Sequence, residues 1–591
     1  MGIGKIISPM VPGASKPLIL SKLDPGQKLL LYGDDKAGND SDRWKPLWES
    51  EPENPAYLAE YAGAYFRVHK NLSPEILAAA EKIDPDNGWF LAFAAATSAE
   101  SAVKREKRSE KDTKDGKAAV ITILDENRLN EALATLHQIA AKPRFASYQT
   151  DLFRQRIPLF PPRRDFVSQI PLMVYATSMY SPGISFRKFS DVLAAGAQQC
   201  AAKRDVEGFH RIINDWRAVA TGSVKGGDTL IDLLVAKVIF TGPAANFRDS
   251  ARSLGLEEEA RYFGNIDERS RMEKDARDQR RRTESAEEEL FRKKSSILGG
   301  LSGALSGRQV QSPPALTDED VRPARYTDHA LVGRVFSGFG WALLGVGVVT
   351  AASARYRKSP LAGGLSGRMT DLLHPWDWVW LFLGGVVFPV LWYLLITRLT
   401  PLTAREWSVT FLTFIPVGGQ FGSFLLSLFI LPTVIASGLL AKRGAVFGFA
   451  LRFPWLGWLA VVAALAGVPA FGATPFFADA GNLVFVSAIF PVCSVVAWIL
   501  SGLGFNAIGR ESRELRRATL WRIVLPVWVF GMLALALLIQ FHYAEEQRWI
   551  QRDRLGEISP DAPAMGRYEY DVTQVLRSEL LERIGQAGEI R

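Results

Sequence analysis

The chain has 591 residues, of which 48% are hydrophobic and 22% charged, with a formal net charge of +8 and a mean hydropathy of +0.04. A single hydrophobic core rarely grows beyond about 300 residues, so more than one domain is expected. Two cysteines, Cys200 and Cys493, exclude a disulfide framework and a cysteine-based zinc site.

The near-zero mean averages two unlike halves: charged residues are frequent to about Ala330, and long charge-free runs dominate from Phe336 to Phe541. Arg and Lys in short loops between apolar runs are the pattern of a bacterial-type membrane protein, so the positive charge implies no nucleic-acid partner.

Residues 1–45 are rich in Pro, Gly, Asp and Lys and read as an irregular lead-in. The opening "MGIGKIISPMVPGASKPLILSKL" lacks the apolar core of about 7 to 15 residues of a secretory signal. Ile6 stands where a myristoylation pattern has Ser or Thr.

Residues 46–265 read as a soluble, all-helical domain. "NPAYLAEYAGAYFRVHK" from Asn54 is rich in Ala and Tyr with Pro55 in its first turn, and "SPEILAAAEKIDPDNGWF" starts at Ser73-Pro74 and stops at Pro85. "SAVKREKRSEKDTKDGK" (Ser101 to Lys117) is a charge run ending in a solvated loop. In "NRLNEALATLHQIAAKPRF", Leu129, Leu133, Leu136 and Ile139 recur at helical spacing. Further helical patterns follow to Phe263, and strand-like alternation is nearly absent.

Residues 266–330 read as a charged helix followed by a Gly/Ser/Pro linker. Between Asp267 and Lys294 only Met272, Leu290 and Phe291 are large and apolar, so no heptad seam exists. In "SSILGGLSGALSGR", Gly299, Gly303 and Gly307 recur every four residues. The stretch is too short to span a bilayer and no GK[ST] follows, so it reads as a hinge. A shorter echo, "LAGGLSGR", runs from Leu361 to Arg368.

Over 54–143, "AAAEKIDPDN" and "LNEALATLHQIAAKP" resemble the second helix of a tetratricopeptide repeat, with Ala80, Leu77 and Pro85 on the family's small, apolar and terminating positions and Tyr57 on its aromatic one. Tyr61, Ala64 and Ser73 depart from the pattern, and the spacing of Pro85 and Pro143 is not a multiple of the period of about 34 residues. The resemblance implies a peptide- or protein-binding surface, for which Tyr57, Tyr61 and Tyr65 are candidates. A helical bundle using Ala for close packing is the alternative.

A membrane crossing needs about 20 apolar residues. Candidates within 331–543 are Phe336 to Ala352, Trp376 to Thr397, Trp407 to Leu440, Pro454 to Ala473, Asn482 to Ile508 and Ile523 to Phe541. Six spans are expected. The third is interrupted by Pro416, Gly418 and Gly419, which gives an alternative count of seven with "WSVTFLTFIP" as a re-entrant segment.

The basic loops carry Arg355, Arg357, Lys358 and Arg368, then Lys442, Arg443 and Arg452, then Arg510, Arg513, Arg516, Arg517 and Arg522. Placing them inside puts the N-terminal domain and the C-terminal tail outside the cytoplasm of a multi-pass inner-membrane protein. The lack of a leading signal opposes this, so an apolar anchor upstream of the assigned start is expected.

The span centres hold no acidic, basic or histidine side chain. Gln420, Ser423, Ser427, Ser487 and Ser494 are the candidate polar groups of the membrane interior, as substrate contacts or as interhelical hydrogen-bonding groups. The six histidines are scattered without an HExxH helix, and neither a Walker lysine nor a GxSxG elbow occurs. No catalytic constellation, metal site or cofactor is expected. Residues 544–591 form a polar tail, in which Val572, Leu576, Leu580, Leu581 and Ile584 line one helical face suited to docking on a partner, on the membrane surface or, as the default, on the protein's own soluble domain.

These readings converge on an all-α membrane protein whose partners are the lipid bilayer and a protein or peptide. The leading function is a membrane-anchored binding, scaffold or sensor component. A transporter or permease-like component is second, and a membrane-embedded enzyme third.

Overall fold

The computed structural model describes residues 23–106, 118–178, 182–282, 307, 309–356, 360–399, 414–451, 453–477, 480–507, 513–564 and 566–586. They are helical apart from turns, loops and one two-stranded hairpin, so the chain is all-α in class. They divide into two units. The first comprises Met1–Glu289, Leu301–Asp320 and Asp553–Arg591; the second comprises Leu290–Gly300 and Val321–Arg552.

The first unit opens with α1 (Pro25–Tyr32), α2 (Asp40–Ser50), α3 (Pro55–His69), α4 (Pro74–Ile83) and α5 (Trp89–Ala102). The two expected starts have a physical cause. Asn54 Oδ1 accepts from the amides of Ala56 and Tyr57, and Ser73 Oγ accepts from Ile76, so each proline sits in a first turn whose free N–H groups are capped by the preceding side chain. In α5, Ala92, Ala95 and Ala99 are fully buried, and their small side chains let α6 (Glu126–Ala141) approach closely.

The all-helical expectation misses a hairpin. Val103–Arg105 (β1) pairs antiparallel with Ile121–Ile123 (β2), Lys104 facing Thr122. The charge run therefore leaves a helix at Ala102 and enters a strand, and its stretch 107–117 lies outside the described residues. Arg105 fixes the hairpin by bonding Asp191 at 2.6 Å and Ser190 at 3.1 Å.

The unit continues through α7 (Gln149–Arg156), α8 (Phe166–Ser178), α9 (Phe189–Lys203), α10 (Val206–Gly226), α11 (Leu230–Thr241), α12 (Ala244–Ser253) and α13 (Glu257–Arg282). Their centre is aromatic. Trp216 is fully buried and stacks on Phe240 at 5.3 Å, with Phe247 and Phe263 edge-on at 5.6 Å. Its indole N–H donates to the carbonyls of Ile239 (3.1 Å) and Phe240 (3.2 Å), satisfying the one polar atom the ring brings into the core.

The tail belongs to this unit. Its helix α22 (Arg567–Gln586) buries Val572, Leu576, Leu580 and Ile584, the expected stripe, and leaves Leu581 half-buried. Polar contacts attach it: Arg163 binds Asp553 at 2.8 Å, Arg154 donates to the Pro560 carbonyl, and Arg577 donates to the Gly227 carbonyl at 2.6 Å.

In the second unit the long helices are α14 (Tyr326–Tyr356), α16 (Pro375–Phe382) continued through the π-turn Leu383–Val387 into α17 (Phe388–Leu399), α18 (Phe414–Arg443), α19 (Pro454–Phe477), α20 (Ala480–Ala507) and α21 (Arg513–Ile550). A short α15 (Pro360–Thr370) holds the echo of the glycine stretch, and the first copy, except Gly307, lies outside the described residues. The π-turn brings Gly384 and Gly385 against α18, where a Cβ would lie 2.8 Å from Ile435 and 2.9 Å from Pro432. Small residues permit this approach, since lipid supplies no hydrophobic drive between helices. Hydrogen bonds add to it: Trp392 donates to the Leu465 carbonyl, Trp498 to Thr433 and Ser494 to the Ala460 carbonyl.

One apolar cluster joins Phe336, Tyr393, Phe421, Val468 and Leu535; another joins Leu373, Leu440 and Ile523. The second lies beside Arg368, Lys442, Arg443 and Arg522, so basic residues at the ends of α15, α18 and α21 gather at one end of the unit. There Arg443 pairs with Asp377 at 3.1 Å.

Five stretches are long and apolar enough to cross a membrane: Leu230–Ser253, Val332–Val349, Pro375–Thr397, Gly419–Arg443 and Arg513–Ile550. The first is not a span on physical grounds. It breaks at Gly242-Pro243 into α11 and α12, of 12 and 10 residues, each too short to cross about 30 Å of hydrocarbon, and its apolar side chains fill the first unit's core. The other four lie in the second unit, which turns large apolar groups outward, with Trp341 72%, Leu537 65% and Leu533 56% exposed.

Candidate functional site

Long apolar helices that show Trp and Leu to their surroundings need a hydrocarbon solvent, and the chain is a multi-pass membrane protein. The polar groups that stand out against this background differ from those the sequence suggests.

Tyr57 and Tyr61 are 8% and 7% exposed and pack in the core of the first unit; Tyr65 is half-buried. Trp48 stacks on Tyr61 at 5.3 Å, Tyr61 meets Tyr65 edge-on at 6.0 Å, and Tyr65 meets His69 at 4.2 Å. The ladder follows helical spacing along α3, and its buried rungs brace the helix. Beside it Arg156 is buried, bonding Glu60 at 2.9 Å, the Leu30 carbonyl at 2.7 Å and the Tyr175 hydroxyl at 3.0 Å. Asp84 accepts from Tyr148 and Asn87 and pairs with Arg144; burial, then this carboxylate, push the Tyr148 phenol well above its usual range.

In the membrane unit, Gln420, Ser423, Ser427 and Ser494 are 0–3% exposed, while the side chain of Ser487 lies outside the described residues. Ser427 donates to the Phe424 carbonyl and Ser494 to the Ala460 carbonyl, so both are absorbed by backbone. Gln420 Nε2 and Ser423 Oγ, one turn apart on α18, have no hydrogen-bond partner among the described residues. Gly467 lets α19 pack directly against Ser423, since a Cβ there would overlap the serine side chain.

Two of the scattered histidines meet. His329 Nδ1 lies 3.1 Å from His542 Nδ1, and Arg334 lies 3.3 Å from Glu546, which is 2% exposed. The start of α14 therefore packs on the end of α21. The residues are more than 200 positions apart in the chain, and only the i, i+4 spacing of His542 and Glu546 gave a local signal.

A cavity of about 750 Å³ lies in the first unit between α11, α13 and residues 309–311. This is within the usual range of small-molecule sites. Arg105, Lys237, Arg269, Arg271, Lys274 and Arg277 line it, against the two carboxylates Asp267 and Glu273. Both carboxylates are committed. Asp267 takes Arg248 at 3.0 Å and Arg271 at 3.4 Å; Glu273 takes Lys237 at 3.1 Å, Arg583 of α22 at 2.6 Å and the Gln311 amide at 2.9 Å. Among the described residues Lys274 and Arg277 make no ion pair, and the Nε atoms of Arg271 and Arg277 are shut off from solvent without an acceptor. Leu234, Val238, Met272 and Val310 supply an apolar wall. The sequence showed α13 as a charged helix; it could not show that α11 and the linker close a cavity over it.

Among the described residues no group of three or more His, Cys, Asp or Glu side chains is placed to hold a metal ion. No protein-family model matches the chain, and neither does any curated protein or solved structure.

Proposed function

We propose that the protein is a membrane-anchored binding component, a scaffold or sensor of a bacterial-type inner membrane, whose first unit engages a protein or peptide partner. The carrying observation is the division of polar chemistry. In the second unit the buried charged groups Asp377, Arg516, His542 and Glu546 stand near helix ends, whereas the first unit holds the cationic cavity. It also exposes apolar side chains on either side of β2, with Val120 at 58% and Leu124 at 57%. The tetratricopeptide-like cadence over 54–143 supports the same reading.

The anchor has six crossings. Helices α19 and α20, at 24 and 28 residues, reach about 36 and 42 Å, enough to join the four longer candidates. Pairing of His329 with His542 supports entry and exit at one end of the unit, hence an even count, which disfavours seven passes. The gathered basic loops favour a cytoplasmic opposite end and an extracytoplasmic first unit and tail.

The test is site-specific photo-crosslinking of the full chain in native membranes. Probes at Val120 and Leu124 yield a discrete protein adduct and a probe at the outward-facing Leu537 does not. Equal adducts at all three positions, or none at Val120 and Leu124, would sink the reading.

A second reading, a permease-like component, is favoured by the unpartnered Gln420 Nε2 and Ser423 Oγ inside the membrane unit. It requires solute flux in proteoliposomes containing the full chain, with Gln420→Leu reducing that flux at least tenfold.

A further inference from the structure

We infer that the cavity between α11, α13 and residues 309–311 is a binding site for a small amphipathic anion, one phosphate or carboxylate group on an apolar body. The inference rests on the reading of the first unit as the binding part of the protein, and it names a ligand class for a specific place in it.

Charge comes first. The cavity wall carries six cations and two carboxylates, and the two carboxylates are already shared among Lys237, Arg248, Arg271, Arg583 and Gln311. Lys274 and Arg277 are left over, one turn apart on α13. An anionic oxygen beside the Lys274 ammonium and the Arg277 guanidinium gains charge-assisted hydrogen bonds and lowers the repulsion among the surrounding cations.

Shape sets the rest of the ligand. A bare phosphate would leave most of about 750 Å³ to water. Val238 and Met272, 44% and 60% exposed, are apolar groups held open to the cavity, and an apolar body gains by covering them. Val310, only 3% exposed, comes from the segment leading toward the first membrane helix, and Gln311 ties that segment to Glu273. The ligand therefore touches α11, α13 and the linker together, so its binding stiffens the linker's attachment to the unit.

The test uses the full chain in nanodiscs of zwitterionic lipid, titrated by calorimetry with phenyl phosphate, inorganic phosphate and phenol. Phenyl phosphate binds saturably, inorganic phosphate binds at least tenfold more weakly, and phenol does not bind. Arg277→Gln with Lys274→Gln weakens phenyl phosphate at least tenfold, while Arg67→Gln, on α3, leaves it unchanged. Hydrogen exchange at 309–311 slows on saturation. The proposal is overturned if phenyl phosphate fails to bind, or if the double variant binds it as the parent does. It is also overturned if binding appears only after Glu284, Glu287, Glu288 and Glu289 are changed to Gln, which would make the chain's own acidic run the occupant. None of these outcomes bears on the crosslinks at Val120 and Leu124, so this inference and the parent reading fail separately.

Discussion

Replacing Leu576 by Ala asks how firmly the C-terminal helix belongs to the first unit. Leu576 is fully buried on α22 between Val572 and Leu580, which are also at 0% exposure. Removing three buried carbons at such a position costs about 2–5 kcal/mol, because the lost burial adds to the cavity left behind. Taking about 3 kcal/mol, and about 1–2 °C per kcal/mol for a unit of more than about 300 residues, the first unit's melting temperature falls by roughly 3–6 °C. Arg577 on the Gly227 carbonyl and Arg583 on Glu273 still hold α22, so the loss appears first as local opening. Hydrogen exchange of the full chain in nanodiscs reads it directly: peptides from α10 and α11 lose protection and those of the second unit do not. Leu581→Ala, at a half-buried position, costs no more than about 1 kcal/mol. If Leu576→Ala and Leu581→Ala behave alike, or if protection falls in the second unit instead, the docking described here is wrong.

Other perturbations probe other joints. Glu273→Ala removes the acceptor shared by Lys237, Arg583 and Gln311 and costs about 2 kcal/mol, read as faster exchange at both 309–311 and the end of α22. Gly226→Ala would bring a methyl within 1.4 Å of the Phe145 carbonyl oxygen, so the backbone must move, at a cost of at least about 2 kcal/mol in thermal unfolding. Burial first, then the neighbouring Asp232 charge, raise the carboxyl pKa of Asp228 above 3.8. A folded pKa above the unfolded one gives stability that is full below pH 3.8 and lost as pH rises through the folded value. Asp228→Asn, neutral at every pH, therefore raises the melting temperature at pH 7 and flattens the gain on acidification; an unchanged pH profile would refute the assignment. In the membrane unit, Gly385→Val meets Pro432 and separates the π-turn from α18, read as a lower melting temperature in detergent for that unit.

Local signals carried much of this architecture. Pro55 after Asn54 and Pro74 after Ser73 mark helix starts because capping is decided within four residues, and the α22 stripe is visible because its period is that of the helix. The hairpin was hidden because its two three-residue strands are too short to show alternation, and the first lies inside the charge run. Tyr57 and Tyr61 looked like surface aromatics; what buries them is Trp48 and the neighbouring helices, which periodicity along α3 cannot report. The same limit hid the His329 and His542 pair and the cavity, both made by elements distant in sequence.

The account depends most on both ends of the chain joining one unit on one side of a membrane crossed an even number of times. In a background with Cys200→Ser and Cys493→Ser, single cysteines at the exposed positions Glu53, Lys442 and Glu582 are labelled with an impermeant thiol reagent applied from one side at a time. Extracytoplasmic reagent labels positions 53 and 582 and spares 442. Labelling of 53 and 582 from opposite sides, or of all three from the same side, contradicts the account.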